Sequence, residues 1–138
     1  MFGIGLLVLR IVVGLTMAAH GSQKLFGWFQ GPGITGFAGM LGHLKIRPAM
    51  FWAWVAASAE FLGGLALALG FLTPLASYAI AGAMLVALAT VHLAKGFWNT
   101  QGGIEFPLLI LASVVALALT GPGVYSIDHW LGSHCRSR

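Results

Sequence analysis

The chain has 138 residues, of which 59% are hydrophobic and only 7% charged, with a formal net charge of +4. So few charges cannot coat a water-facing surface, since soluble domains carry roughly a quarter charged residues; the apolar surplus must face lipid. The seven cations are scattered along the chain, which excludes a nucleic-acid groove. The single cysteine, Cys135, excludes an internal disulfide, a dithiol redox pair and a thiolate metal centre.

Four apolar stretches are predicted as membrane helices, at about residues 3–19, 49–70, 75–94 and 104–120. Each approaches the roughly 20 residues needed to cross about 30 Å of hydrocarbon. Helix is the required conformation, because an open strand leaves backbone groups unpaired in lipid. The ten-residue alternation of a membrane barrel is absent. The start is apolar from Phe2 with no charged leader, and Arg10 interrupts the run, so the first stretch reads as a span. The predicted fold is therefore all-α: one membrane domain over residues 1–138, built as an antiparallel bundle of four transmembrane helices.

The connections differ in kind. Residues 70–74, Gly-Phe-Leu-Thr-Pro, form a tight turn, with Thr73 expected as N-cap and Pro74 at the first helical position. The connection over residues 20–48 is long and apolar, so it is expected to lie in the interface or dip into the bundle. A short helix is expected around residues 34–43. Residues 121–138 hold Tyr125 and Trp130, which favour the headgroup zone, and are expected to form a short surface segment. Ala79, Ala83 and Ala87, and likewise Gly64 and Ala68, recur every four residues, a spacing that lets helices pack closely. Such faces serve contacts within a chain and between chains equally, so a homo-oligomer stays open.

The informative residues are those that lipid rejects. Arg10 and Glu60 lie near the middles of the first and second stretches, each at a cost of about 3 kcal/mol on the insertion scale. Arg10 is nine residues before Ala19 and Glu60 eleven after Ala49, which puts both at roughly 14–17 Å from one membrane face. An intramembrane Arg10–Glu60 pair is expected. It either fixes helix register alone or forms a centre that responds to protons or ligand.

A second cluster gathers at the face of the first and third connections. His20 and Lys24 follow the first stretch. His92 ends the third, and Asn99, Gln101 and Glu105 follow, with Trp28 and Trp98 nearby. Each has a bland reading: Glu105 complements a helix dipole and Lys24 snorkels to headgroups. Together they mark a candidate ligand pocket. Two imidazoles on parallel helices also allow haem ligation, which the spacing does not require. No other metal site and no nucleotide or nucleophile motif is expected. Counting cations favours cytoplasmic first and third connections, through Lys24, Lys45, Arg47 and Lys95 against Arg136 and Arg138.

The same residues carry a resemblance. The blocks are Leu9-Arg10 with residues 20–27, His-Gly-Ser-Gln-Lys-Leu-Phe-Gly; residues 60–67, Glu-Phe-Leu-Gly-Gly-Leu-Ala-Leu, with Gly70 and Thr73; Met84, His92 and Gly96-Phe97; and residues 105–109, Glu-Phe-Pro-Leu-Leu, followed by residues 121–128. In these the chain resembles the DoxX family of small four-helix bacterial membrane proteins, over nearly its whole length. The resemblance implies an inner-membrane location and a link to thiosulfate–quinone oxidoreductase or oxidative-stress systems. A soluble oxidoreductase or a respiratory complex would be the protein partner. It carries over no catalytic residue. The leading expectation is an accessory subunit or scaffold that binds quinone or lipid, since quinone carbonyls suit Lys and His donors and a quinone tail suits the bundle. The rivals are a component that itself passes electrons to quinone, and a small transporter using Glu60 as carrier.

Overall fold

The computed structural model describes residues 1–135, and every described element is helical. The order is α1 (Phe2–Phe26), α2 (Gly33–His43), α3 (Ala49–Leu69), α4 (Thr73–Ala87), α5 (Glu105–Thr120) and α6 (Ile127–Cys135). Beyond Ala87, α4 continues through a π-helical turn, Leu88–His92, and a 3-10 turn, Leu93–Lys95.

Three helices are long and apolar enough to cross a membrane: Phe2–Phe26, Ala49–Leu69 and Thr73–Lys95. The fourth, α5, is apolar and shorter, its 16 residues rising about 24 Å. It packs on α4 within the shared core. That core draws Leu6, Val13 and Met17 from α1, Leu67 from α3, Ile80 and Met84 from α4, and Ile110, Val114 and Leu117 from α5. Outward, large apolar side chains such as Val8, Val12, Leu62, Leu75 and Leu109 stand exposed, as a lipid-facing surface requires.

The first helix is the main departure from the sequence expectation. It runs to Phe26, not to about residue 19. The apolar run stops at His20, but nothing there breaks a helix; the stop is Gly27, in the left-handed region at φ 73°. The long connection is accordingly shorter, and α2 fills most of it. Phe37, Ala38 and Leu41 of α2 are buried against Ala53 and Ala57 of α3, so this segment is a docked helix. Pro48, joined to Arg47 by a cis bond, leads into α3.

The closest helix contact is α1 on α3. A Cβ on Gly14 would fall 2.6 Å from the Gly64 carbonyl oxygen, and one on Gly21 would overlap the backbone of Phe61. Only glycines permit so close an approach, which brings van der Waals packing to two helices that lipid cannot press together. The expected small face of α3 is thus in use at Gly64. The alanine row of α4 is not the seam: Ala76, Ser77, Ile80 and Met84 are its buried side chains, and Ala79, Ala83 and Ala87 are half-buried.

The turn before α4 also differs from expectation. Thr73 is the first helical residue and Leu72, at φ 47°, occupies the N-cap. The free backbone donors there are capped by Asp128: its Oδ1 accepts from the Leu72 N–H at 2.7 Å and its Oδ2 from the Thr73 N–H at 2.8 Å. The Asp128 N–H donates in return to the Gly70 carbonyl at 2.9 Å.

Candidate functional site

Because α1 continues past His20, Lys24 lies one helical turn beyond Gly21, where α1 crosses Phe61 of α3. From there its Nζ reaches Glu60 Oε1 at 2.5 Å. Glu60 is 2% exposed and Lys24 24%. The ammonium also lies 4.8 Å from the centroid of the Phe37 ring, which α2 supplies. Glu60 Oε2 is buried with no partner. A carboxylate oxygen left so in a low-dielectric interior is costly, and it stands ready to accept a hydrogen bond.

The expected Arg10–Glu60 pair is not formed. The depth estimate took Ala19 as the end of the first helix, and the true end is seven residues later. The α1–α3 register pairs Gly21 with Phe61 and Gly14 with Gly64 and Ala68. Arg10 therefore lies level with Gly70, about 15 Å beyond Glu60 along the bundle, ten residues at 1.5 Å each. It is fully buried there, and its Nη2 donates to the Tyr125 carbonyl at 2.5 Å. Asp128 is within electrostatic reach, while Arg10 Nε and Nη1 have no partner.

His20 stands near the Lys24–Glu60 pair and feels both charges. Its ring packs tilted on Phe106 of α5 with centroids 5.2 Å apart. Beside it is an open groove of about 300 Å³ lined by Thr16, Ala19, His20, Gln23 and Phe29. Four of the five come from one face of α1 at positions i, i+3, i+4 and i+7. The groove has an apolar floor with an imidazole and an amide as hydrogen-bonding groups. The Gln23 amide is only weakly engaged, donating to the Phe29 carbonyl at 3.4 Å.

The remaining sequence candidates form a separate group. His92 Nδ1 contacts the Gly102 carbonyl oxygen at 2.6 Å, and Glu105 Oε2 accepts the Asn99 N–H at 2.9 Å. These bonds close the connection between α4 and α5, and Glu105 serves as the local cap. Gln101, Trp28 and Trp98 are exposed. The residues around His20 and those around His92 and Glu105 thus share one end of the bundle, and the groove beside His20 is lined by none of the second group. No group of three His, Cys, Asp or Glu residues among the described residues is placed to hold a metal ion. Sequence reasoning missed Thr16, Gln23, Phe29, Phe37 and Phe106. The signal for the first two was present, since extending the helix to Gly27 sets Thr16, His20 and Gln23 on one face.

Apolar helices packed through glycine seams, with charges turned inward, define a multi-pass helical membrane protein. The DoxX family model matches residues 5–93. The chain is 34% identical over 128 residues to a Bacillus subtilis (strain 168) protein named "Putative oxidoreductase CatD", covering 92% of this chain and 87% of that protein. It is 32% identical over 131 residues to the inner membrane protein YqjF of Escherichia coli (strain K12), covering 93% and 92% respectively. It is 28% identical over 133 residues to the uncharacterized membrane protein Rv3486 of Mycobacterium tuberculosis, covering 89% and 78%. No solved structure matches. The chain belongs to the DoxX family and is a multi-pass protein of the bacterial inner membrane.

Proposed function

We propose that the protein is an accessory subunit of a membrane redox or oxidative-stress system, and that its α1 groove takes the head of a quinone. The observation that carries this reading is the groove itself. His20 and Gln23 face an apolar trough beside a buried ion pair, and the trough lies on a lipid-facing helix that an isoprenoid tail can reach without crossing water. A quinone carbonyl accepts hydrogen bonds from an imidazole or amide N–H, and its ring packs on Phe29. The name of the Bacillus relative supports a redox setting. A phospholipid headgroup in the same groove is the alternative occupant.

The test is solvent extraction and chromatography of the protein purified in mild detergent. Wild-type protein is expected to carry quinone, and H20L/Q23L roughly thirtyfold less, two hydrogen bonds at about 1 kcal/mol each being lost. Phospholipid without quinone, lost in the same variant, would transfer the groove to lipid. Quinone content unchanged in the variant would refute the site. The same relative's name favours a second reading, in which the protein itself passes electrons to quinone. This chain's lone cysteine then requires a partner to supply the electrons, and a turnover assay with that partner would separate the two.

A further inference from the structure

The three acids of the chain are all engaged internally. Glu60 holds Lys24, Glu105 caps the Asn99 N–H, and Asp128 caps α4. Lys45 and Arg47 are both exposed, and neither has an acid partner among the described residues. Both cations are thus open to an anion from outside the described residues.

The turn that carries them is built. At the end of α2 the Ile46 N–H donates to the Leu41 carbonyl and the Lys45 N–H to the Gly42 carbonyl, both at 3.0 Å. This is a Schellman closure, which places its C′ residue in the left-handed region where glycine is the usual choice. Here that residue is Lys45, at φ 60°. A side chain is retained where the backbone disfavours one, and such outliers cluster at ligand sites. Ile46, the next residue, packs inward on the cluster of Phe37, Leu41 and Ala53 and so anchors the turn between the two cations. Immediately beyond, Phe51 and Trp52 on the first turn of α3 are exposed, their rings T-shaped at 5.2 Å. Exposed aromatics beside cations at the end of a spanning helix mark headgroup depth.

We propose that residues 44–47 form a binding site for the phosphate of an anionic phospholipid, with Lys45 and Arg47 as its ligands and Phe51 and Trp52 against the acyl chains. The aromatic pair selects a lipid over a free phosphate or an acidic protein. The site stands apart from the α1 groove and does not depend on what occupies it.

The experiment is native mass spectrometry of the full chain released from bilayers that hold phosphatidylglycerol and phosphatidylcholine in equal amounts. Wild-type protein is expected to retain phosphatidylglycerol roughly tenfold over phosphatidylcholine, whose choline cation offsets its phosphate charge and is repelled by Lys45 and Arg47. K45G suits the positive φ, so its melting temperature is expected to hold or rise while retention falls severalfold. R47Q is expected to lose retention likewise. K95Q removes one charge from the same membrane face and is expected to retain lipid as wild type does. Equal retention of the two lipids by wild type, full retention by K45G, or an equal fall in K95Q would each overturn the site.

Discussion

Glu60 shows how one ionisable group organises its surroundings. Burying a carboxylate costs several kcal/mol, and only a close partner offsets that cost. Lys24 supplies the contact, and Phe37 of α2 closes over the ammonium. Lys24 is partly exposed, which lowers the net worth of the pair below that of a fully buried one. Removing one partner leaves the other charge in the interior, whereas removing both leaves only a packing change. E60Q is therefore expected to melt lower in detergent than K45Q, whose target has no acid partner among the described residues. The double variant K24M/E60L is expected to recover most of the loss, with a coupling of about 1–3 kcal/mol. Additive losses from the two sites would mean that the contact contributes nothing.

At the scale of elements, the segment after α5 is fastened to the bundle by polar bonds as well as by the packing of Val124 and Tyr125 beside Gly3 of α1. Asp128 caps α4, its N–H returns to Gly70, and Arg10 donates to Tyr125. This explains why Arg10 is tolerated at depth: it holds residues 121–135 against the turn before α4. Gly70, at φ 68°, is required there, since a Cβ would overlap the guanidinium. D128A is expected to cost about 1 kcal/mol, the usual worth of an N-cap side chain. Hydrogen exchange should rise at the Leu72 and Thr73 amides and leave those of α3 unchanged. Unchanged exchange at those two amides would show that the cap carries no weight.

Across the whole molecule, the helix order sets which loops share a membrane face. Single cysteines at positions 28 and 98, in a C135S background, are expected to react with an impermeant thiol reagent from one side of the membrane. Cysteines at 71 and 130 are expected to react from the other. Mixed labelling within either pair would break the antiparallel arrangement. The cation count that favours cytoplasmic first and third connections now rests on Lys45, Arg47 and Lys95, because Lys24 is spent on Glu60. Arg136 and Arg138, on the other side of that count, lie outside the described residues.

How far the sequence reached follows from the range of each interaction. Apolar length and the scarcity of charge dictate spanning helices by themselves, because lipid leaves the backbone no other way to pair its polar groups. Arg10 and Glu60 were legible as exceptions for the same reason, each being a group that hydrocarbon rejects, and His20 and Lys24 as polar groups gathered at one face. The partner of each charge was not legible. Hydropathy reports where a run of apolar residues ends, whereas a helix ends where its backbone is broken, and at α1 the two differ by the seven residues that carry Lys24. That offset shifts Arg10 by about 10 Å, seven residues of rise, and only the glycine seam between α1 and α3 sets the true register, with Arg10 level with Gly70. Asp128 capping a helix that begins 55 residues earlier is a contact that no local pattern encodes. The sequence alone determined that the charges turn inward; the packing of helices distant along the chain decided which charge meets which.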